Sequence, residues 1–485
     1  MESGSFIRCM SGIWMSGILI GAVCSVASAQ GLNGSERQLA RDVFQELIET
    51  NTTHSTGSTT DAAEKMRVRL LRAGFSASDM EICGPTAKRM NLVVHYRPAE
   101  KTSEKPVLVI GHLDVVEAKR EDWPRDPFKF SEEGGYFYGR GTQDMKDADA
   151  AFVTSFVLLK QAGYAPHREI ILALTADEEG GSNDGADWLM KNRPELKKVA
   201  FAINPDAGGL LTRDTKPEEL DLEATEKVYA DFAVIATNPG GHSSRPVPDN
   251  AIYEVADALG HLEKNPFPAE LNPVTRAYLL QREKIESSER RYLIQGVLAK
   301  PMNAQAVALL SKDPGYNATL RTTCVATMMS AGHAPNALPG SAEANVNCRI
   351  LPGHSPEEVR QRLIAIFHDP RVTVKFRDND GVTLQDRAPD RGAITPPPLR
   401  EDVMKPLKAV TASLWPGITI VPEMESGASD SIYTMAAGIP SYGFSGMGID
   451  EGDERAHGRD ERIRVESYFT GVEFTRRLVK AIGDE

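Results

Sequence analysis

Acidic residues and histidines follow apolar stretches of the chain at five separate places. They are His112-Leu113-Asp114, Asp144 within the glycine-rich segment 139–146, Asp177-Glu178-Glu179, Asp206, and His457. The three adjacent carboxylates at 177–179 repel one another strongly unless cations neutralise them. Carboxylates and imidazoles without a thiolate are ligands that suit hydrolytic zinc. The pattern predicts two zinc ions that activate a water molecule, with a glutamate available as general base.

Each cluster taken alone also has an ordinary structural interpretation. A histidine after a strand, such as His112, is more often a buried structural residue than a ligand. Asp144 fits the first turn of a helix, and 177–179 fits a solvated acidic loop. In an extended segment residues i and i+2 share a face, so Asp114 can hold the imidazole of His112 in one tautomer. The five clusters together favour a metal site over these separate interpretations.

Short apolar strands alternate with longer helical stretches from residue 31 to about 225. The pattern predicts strands at 107–111, 169–175 and 199–203, and helices at 147–161 and 184–191. This alternation is typical of the α/β class, with a mostly parallel sheet and helices on its faces. Open sheets of this kind bind ligands at the carboxyl ends of their strands, where the acidic clusters stand.

The pattern changes near Lys227, which indicates an α+β unit inserted into the first domain. The predicted order is strand 229–237, helix 251–262, a polar insertion to about 300, strands 318–329 and 342–350, helix 356–367, and strand 372–376. Apolar alternation resumes after the prolines at 396–398. We therefore expect a catalytic domain at 30–225 and 391–485, with an inserted domain at 226–390.

The first 29 residues have the features of a signal peptide. Arg8 precedes an apolar run at 12–27, and Ala27-Ser28-Ala29 has the small-x-small form of a cleavage site. A membrane anchor is the alternative interpretation, but the run is shorter than the ~20 residues that span a bilayer. We expect an exported protein, periplasmic or secreted, with no stable membrane anchor after the leader is removed.

Charge and cysteine content narrow the choice of partners and crosslinks. The net charge of −13 argues against nucleic acid as a partner. Outside the leader the cysteines are Cys83, Cys324 and Cys348, which allow one disulfide at most. Cys324 and Cys348 lie equally far from Asn336 along two strand-like segments, so they either pair across a ladder or remain as two buried thiols.

The five clusters, in their order and spacing, resemble the metal-binding set of a known family. It is the zinc peptidase family of glutamate carboxypeptidase, acetylornithine deacetylase and succinyl-diaminopimelate desuccinylase. The segments 240–246 (GGHSSRP) and 262–268 (LEKNPFP) are most similar to its carboxypeptidase S branch, which includes secreted N-acyl amino acid hydrolases. The resemblance covers nearly all of the chain after the leader.

The resemblance implies a shared ligand between two metal sites. Asp144 would bridge two zinc ions, for which Co²⁺ or Mn²⁺ could substitute. His112 and Asp206 would complete one site, and Glu179 and His457 the other. The family pattern also implies a cis peptide bond after Asp144.

The same resemblance assigns the reaction to a hydroxide that bridges the two metals. Glu178 would be the general base, taking the proton and returning it to the leaving amine. Asp114 would contact the imidazole of His112 rather than a metal ion.

Four further residues would contact the substrate. The inserted domain resembles the family's lid, from which His242 would stabilise the tetrahedral oxyanion, in some members from the partner subunit of a dimer. Asn336, Arg349 and Gly427 resemble the group that grips the substrate carboxylate. The family often has Gly-Gly-Thr where this chain has Ser426-Gly427-Ala428, so a threonine contact is missing.

Three functions compete on this basis. The first is a carboxypeptidase or dipeptidase that cleaves an amide bond beside a free C-terminal carboxylate. The second is an N-acyl amino acid deacylase with the same chemistry on another acyl group. The third is a non-catalytic binding protein, which the complete ligand set and Glu178 argue against. The expected substrate is a small peptide or an N-acyl amino acid, and the chain is expected to be a monomer or a homodimer.

Overall fold

The computed structural model describes residues 31–180, 183–378, 380–389 and 394–485, so the predicted leader lies outside the described residues. Residues Leu32–Glu485 form one unit. The helices are α1 (Gly34–Ile48), α2 (Thr59–Arg72), α3 (Lys146–Gln161), α4 (Gly185–Asn192), α5 (Ala251–Lys264), α6 (Pro273–Ile285), α7 (Ser288–Leu298), α8 (Ala304–Leu310), α9 (Pro314–Leu320), α10 (Pro356–Phe367), α11 (Glu401–Leu414), α12 (Ser431–Ala436) and α13 (Val465–Gly483). Among these described helices, none is long and apolar enough to cross a bilayer.

Five sheets account for the strands of the described residues. The strands are β1 (Met80–Thr86), β2 (Arg89–Tyr96), β3 (Val107–His112), β4 (Ser131–Glu133), β5 (Tyr136–Tyr138), β6 (Ile170–Thr175), β7 (Ala202–Ile203), β8 (Gly209–Arg213), β9 (Lys216–Glu226), β10 (Val228–Thr237), β11 (Gly241–His242), β12 (Thr323–Ala331), β13 (Ala337–Leu338), β14 (Ser341–Ile350), β15 (Val372–Arg377), β16 (Leu384–Gln385), β17 (Thr419–Glu425), β18 (Ser441–Tyr442), β19 (Gly448–Asp450) and β20 (Arg462–Arg464).

The largest sheet has six strands in the order β1-β2-β6-β3-β7-β18. The strands β6, β3, β7 and β18 are parallel, whereas β2 pairs antiparallel with both β1 and β6. Consecutive residues of β6 point to opposite faces of the sheet. Leu172 packs in the core that contains α1, α3 and α13, and Ile171 packs in the core that contains α4. Helices therefore cover both faces, which explains the complete burial of β3 and β6. The predicted α/β class is confirmed.

A second sheet is antiparallel throughout, in the order β12-β14-β10-β15-β16. Phe232 and Val234 on β10 and Val346 on β14 pack against Val255 of α5 and Leu363 of α10. One face of this sheet is thus covered by two helices, as the strand and helix order of the sequence predicts.

The segment between α5 and β12 differs from the prediction. The sequence predicts a polar insertion to about 300 and a strand at 318–329, but α6 to α9 fill this region, and β12 begins only at Thr323. The four helices bury a small core of their own that includes Leu279, Ile294 and Leu320. The start of α9 explains the wrong strand, because Asp313 accepts hydrogen bonds from the N–H groups of Gly315 and Tyr316 and so caps a helix there.

A third sheet has the order β17-β9-β8-β19. Along β9 the apolar side chains of Leu220 and Leu222 enter a core with α11 and α13. The alternate residues Glu219, Asp221 and Glu223 belong to the opposite face. This sheet therefore presents a row of carboxylates on one side.

The two cysteines left open by the sequence form a disulfide. Cys324 and Cys348 are direct partners in the ladder between β12 and β14, and their sulfurs are bonded. Cys83 is a buried free thiol.

This pairing predicts the thiol count and part of the stability. Protein lacking residues 1–29, denatured without reductant, should expose one free thiol, and three after reduction. Closing a loop with a sequence separation of 24 residues should stabilise the fold by about 3 kcal/mol. Thiol titration and urea unfolding with and without reductant measure both quantities. Three free thiols before reduction would contradict the pairing.

Candidate active site

Three neighbouring parallel strands deliver the acidic clusters to one edge of the central sheet. His112 is the last residue of β3, the acidic segment 177–179 follows β6, and Asp206 follows β7. Parallel strands end on the same side of a sheet, so these side chains are brought together although they are far apart in sequence.

Two groups of side chains converge at this edge and share Asp144. In the first group, His112 Nε2 lies 3.0 Å from Asp144 Oδ1 and 3.4 Å from Asp206 Oδ1. In the second, His457 Nε2 lies 2.9 Å from Asp144 Oδ2 and 3.0 Å from Glu179 Oε2. Within each group the candidate ligand atoms all lie within 4.8 Å of one another.

The donor atoms of these groups fit metal ions. His112 Nε2 and Asp144 Oδ1 are buried and have no hydrogen-bond partner, although they lie 3.0 Å apart. Buried polar atoms are rarely left unpaired. Imidazole nitrogens and carboxylate oxygens are the ligands of zinc and of similar divalent cations. The residues present therefore fit two cations, one in each group.

The carboxylate of Asp114 does not have the partner that the sequence predicts. His112 Nδ1 contacts the backbone carbonyl oxygen of Asp114 at 3.1 Å, and the Asp114 carboxylate is farther away, at 3.8 Å. That carboxylate accepts hydrogen bonds from the N–H groups of Glu178 and Glu179, at 3.1 and 3.0 Å. The two backbone donors draw the side chain towards the acidic turn. Asp114 thus supports His112 through its backbone and the turn through its side chain.

The three carboxylates at 177–179 point to three different environments. Asp177, at a φ of 59°, is buried and pairs with Arg89 at 2.9 Å. Glu179 faces His457, and Glu178 lines the cleft. Burial raises the pKa of Glu178 well above its usual range; the nearby Asp206 carboxylate raises it further, while the imidazole of His112 lowers it. Only two of the three carboxylates therefore face the space between the candidate ligands.

The peptide bond between Asp144 and Met145 is cis, as the family resemblance implies. It lies just before α3, whose first residue Lys146 is fully buried. The Nζ of Lys146 donates to the carbonyl oxygens of Leu47 and Thr50, both at 2.9 Å. The start of α3 is thereby fixed to the end of α1.

Four of the five candidate ligands, Asp144, Glu179, Asp206 and His457, line a cleft with a volume of about 570 Å³. Eleven carboxylates border it, and no Lys or Arg is among its described lining residues. They are Asp144, Asp147, Glu178, Glu179, Asp206, Asp221, Glu423, Glu425, Asp450, Glu451 and Glu454. The carboxylates of β9 and β17 are not among the site residues predicted from the sequence. Acidic residues at alternate positions of 219–223, among apolar ones, were the available signal.

Of the four predicted substrate contacts, only Gly427 lines this cleft. Its N–H donates to Glu425 Oε1 at 2.8 Å. His242 is exposed, and β11 pairs it with Ala337, beside Asn336. The guanidinium of Arg349 lies 4.8 Å from the ring centre of Tyr229. The structure thus brings His242 and Asn336 together, and it places neither of them nor Arg349 among the residues that line the cleft.

Strand ends and loops gather two histidines and several carboxylates into two groups of candidate ligands, an arrangement typical of a hydrolase with a paired metal centre. Residues 108–481 match the model of the peptidase family M20/M25/M40. The chain belongs to this family, and it is a hydrolase of the metallo-exopeptidase class.

The relatives include both peptidases and N-acyl amino acid hydrolases. The chain is 28% identical to the probable carboxypeptidase S-like 2 of Dictyostelium discoideum, over 80% of this chain and 74% of that protein. It is 30% identical to the human N-fatty-acyl-amino acid synthase/hydrolase PM20D1, over 78% of this chain and 74% of that protein. The M20 family metallo-carboxypeptidase Sso-CP2 of Sulfolobus solfataricus has the same fold, with a TM-score of 0.66 at 17% identity, over 92% and 99% of the two chains.

The carboxylates of the cleft should make stability depend on pH. Burial, and then Glu219, raises the pKa of Asp221 to about 7. A carboxyl whose pKa is raised by folding favours the folded state only while it is protonated, so it costs stability as the pH rises from about 4 to 7. Asp221→Asn should therefore raise the free energy of unfolding of the metal-free protein by about 1–3 kcal/mol at pH 8 and leave it unchanged below pH 4.

Urea unfolding at the two pH values measures the difference. Glu133→Gln is the control, because the side chain of Glu133 is 72% exposed, and it should change neither value. Lower stability of Asp221→Asn at pH 8 would contradict the prediction.

Proposed function

We propose that this chain is a zinc-dependent carboxypeptidase or dipeptidase that cleaves the amide bond next to a free C-terminal carboxylate. The main support for this proposal is the position of Glu178. Its carboxylate lines the same cleft as Asp144, yet it belongs to neither group of candidate ligands. A carboxylate beside the ligands that is not itself needed as a ligand is available to move a proton.

In the proposed reaction the chain's own residues orient the groups that react. Bound by the two groups, divalent cations would supply Lewis acidity that lowers the pKa of a water molecule. Glu178 accepts the proton from this water and returns it to the leaving amine. Asp114 holds the backbone N–H groups of Glu178 and Glu179 and so fixes where the base stands. Zinc is proposed because the donors are imidazole and carboxylate, with Co²⁺ or Mn²⁺ as substitutes.

The charge of the cleft favours a peptide with a free ammonium group as substrate. Asp450 and Glu451 pair with Arg464 and Arg213, but the other nine carboxylates, when ionised, outnumber the four positive charges of two divalent cations, and no Lys or Arg lines the described cleft. Such a surface attracts a positive group and repels a negative one. N-acyl amino acid hydrolysis is the second candidate, supported by the 30% identity with human PM20D1.

We further propose that residues 226–390 act as a lid that supplies positive charge. Arg349 and Asn336 would bind the substrate carboxylate, and His242 would stabilise the oxyanion. His242 is exposed, its Nδ1 lies 2.8 Å from the Ser244 hydroxyl, and it leaves Nε2 for such a contact. Because these residues do not line the cleft, the proposal requires the lid to close over the substrate.

Export is proposed from the predicted leader and from the disulfide. Disulfides persist in oxidising compartments and are rare in the cytosol. The bond between Cys324 and Cys348 agrees with a periplasmic or secreted protein.

The role of the base is tested by Glu178→Gln, which keeps the shape of the side chain and removes its basicity. Turnover of a dipeptide should fall about 100-fold or more, while the metal content measured by elemental analysis stays unchanged. Glu454→Gln removes a carboxylate from the same cleft outside both ligand groups, and it should change turnover by less than about 3-fold, an effect of long-range charge alone. Loss of metal from Glu178→Gln would show that Glu178 is a ligand.

The substrate class is tested by comparing a dipeptide, its C-terminal amide and an N-acyl amino acid. The dipeptide should be cleaved with the highest kcat/KM. Amidation of the substrate and Arg349→Ala should each cost about 2–3 kcal/mol, the range of a charge-assisted contact. Because both changes remove one interaction, their effects should not add. Rapid hydrolysis of the amide, or full additivity, would contradict the carboxylate contact, and preference for the N-acyl substrate would support the second candidate.

A further inference from the structure

The two loops that carry Asp144 and His457 meet although more than 300 residues separate them. Asp144 ends the glycine-rich loop before α3, and His457 lies in the turn between β19 and β20. His457 has a φ of 62°, a backbone conformation that residues other than glycine rarely adopt. Neither side chain lies on a helix or strand, so other contacts must fix the distance between them.

Those contacts converge on the buried carboxylate of Glu461. Its Oε1 accepts hydrogen bonds from the N–H groups of Gln143 and Asp144, at 2.7 and 3.2 Å. Its Oε2 accepts from the N–H of Gly141 and from Arg140 Nη1, at 3.1 and 2.7 Å. Glu461 is 0% exposed. One side chain thus accepts four donors from a single loop.

Arg140 extends this network to the histidine. Its Nη2 lies 3.3 Å from the backbone carbonyl oxygen of His457, while Nη1 binds Glu461 and the guanidinium lies 4.9 Å from the ring centre of Trp123. The buried ion pair of Arg140 and Glu461 therefore contacts the backbone of both loops. A buried pair of this kind is costly to break on one side only.

The side chain of Gln143 adds a second set of bonds between the loops. Its Nε2 donates to the carbonyl oxygens of Asp453 and Arg462, at 3.1 and 2.7 Å. Its Oε1 accepts from the N–H of Arg455 at 2.6 Å. The segment that contains His457 is thereby attached to the Asp144 loop on both sides of the histidine.

We propose that Glu461 is a positioning residue that fixes the Asp144 carboxylate relative to His457, and thereby sets the metal affinity of the group formed by Asp144, Glu179 and His457. The proposal rests on the proposed two-metal function. It predicts an asymmetric effect. His112 is held by the Asp114 carbonyl oxygen and Asp206 follows β7, so the other group keeps two of its three ligands without Glu461.

The test is a Co²⁺ titration of metal-free protein, followed by visible absorption and calorimetry. The parent should bind two equivalents. Glu461→Gln places an amide N–H₂ among four donors, so the second equivalent should bind at least about 10-fold more weakly with an altered spectrum. The first equivalent, which shares Asp144 but keeps its other two ligands, should be weakened less. Arg140→Lys keeps the charge but loses the fork that contacts both loops. It should weaken the same equivalent, and it remains informative if Glu461→Gln does not fold.

Glu473→Gln is the matched control. Like Glu461, Glu473 is a buried glutamate in an ion pair. Its partners are Arg476 and Arg477, and all three residues lie within α13. It should leave both equivalents unchanged even if it lowers the melting temperature. The proposal is overturned if Glu461→Gln binds both equivalents as the parent does, weakens both equally, or is matched by Glu473→Gln.

A parent chain that binds a single equivalent would refute the two-metal function separately. In that case, positioning by Glu461 is still supported if Glu461→Gln weakens the binding of this equivalent and Glu473→Gln does not. An unchanged affinity contradicts it.

Discussion

The repulsion among carboxylates at one edge of the central sheet is the constraint on which this structure depends. Parallel strands bring their carboxyl ends together, and here β3, β6 and β7 bring acidic residues with them. Close carboxylates inside a protein raise one another's pKa unless opposite charge or donors compensate them. The fold must therefore supply a partner for each carboxylate at this edge, either from the chain or from a bound cation.

The chain compensates some of these groups itself, and the pattern of compensation marks the site. Arg89 pairs with Asp177, two backbone N–H groups serve Asp114, and Arg140 with three N–H groups serves Glu461. Asp144 and Glu179 are left with histidines as their nearest partners. Asp177, Asp114 and Glu461 thus have partners from the chain, whereas the candidate ligands at the centre of the site face mainly one another.

The sequence was sufficient for the parts of the site that follow from strand order. Residues that end parallel strands must meet, so the sequence alone predicts His112 and Asp206 at one edge. The contacts of Glu461 could not be predicted in this way, because they join two irregular loops whose approach depends on the packing of the whole domain. The same holds for Asp114, because its carboxylate is predicted to hold His112 and instead binds the turn at Glu178.

Local capping explains the main error in the fold, and the ladder explains an alternative that the sequence left open. The sequence predicts a strand that begins at residue 318, but the cap at Asp313 makes 314–320 a helix. Spacing alone could not distinguish a disulfide from two thiols at Cys324 and Cys348. The register of β12 on β14 places the two residues opposite each other, and that register depends on the whole strand pair rather than on the cysteines.

The electrostatics of the cleft bear on how a substrate carboxylate could be accepted at all. Eleven carboxylates border the cleft, and Arg464 and Arg213 pair with only two of them, Asp450 and Glu451. When the others are ionised, negative charge remains even with two divalent cations bound, and such a surface repels an anion. A free C-terminal carboxylate can therefore be held there only if a positive group arrives with the lid. Arg349 on β14 is such a group, and it lies over the ring of Tyr229, its cross-strand partner on β10. Because both residues belong to the proposed lid, they can move together when it closes, and the contact opposes substrate binding only if the guanidinium has to leave the ring to reach the carboxylate.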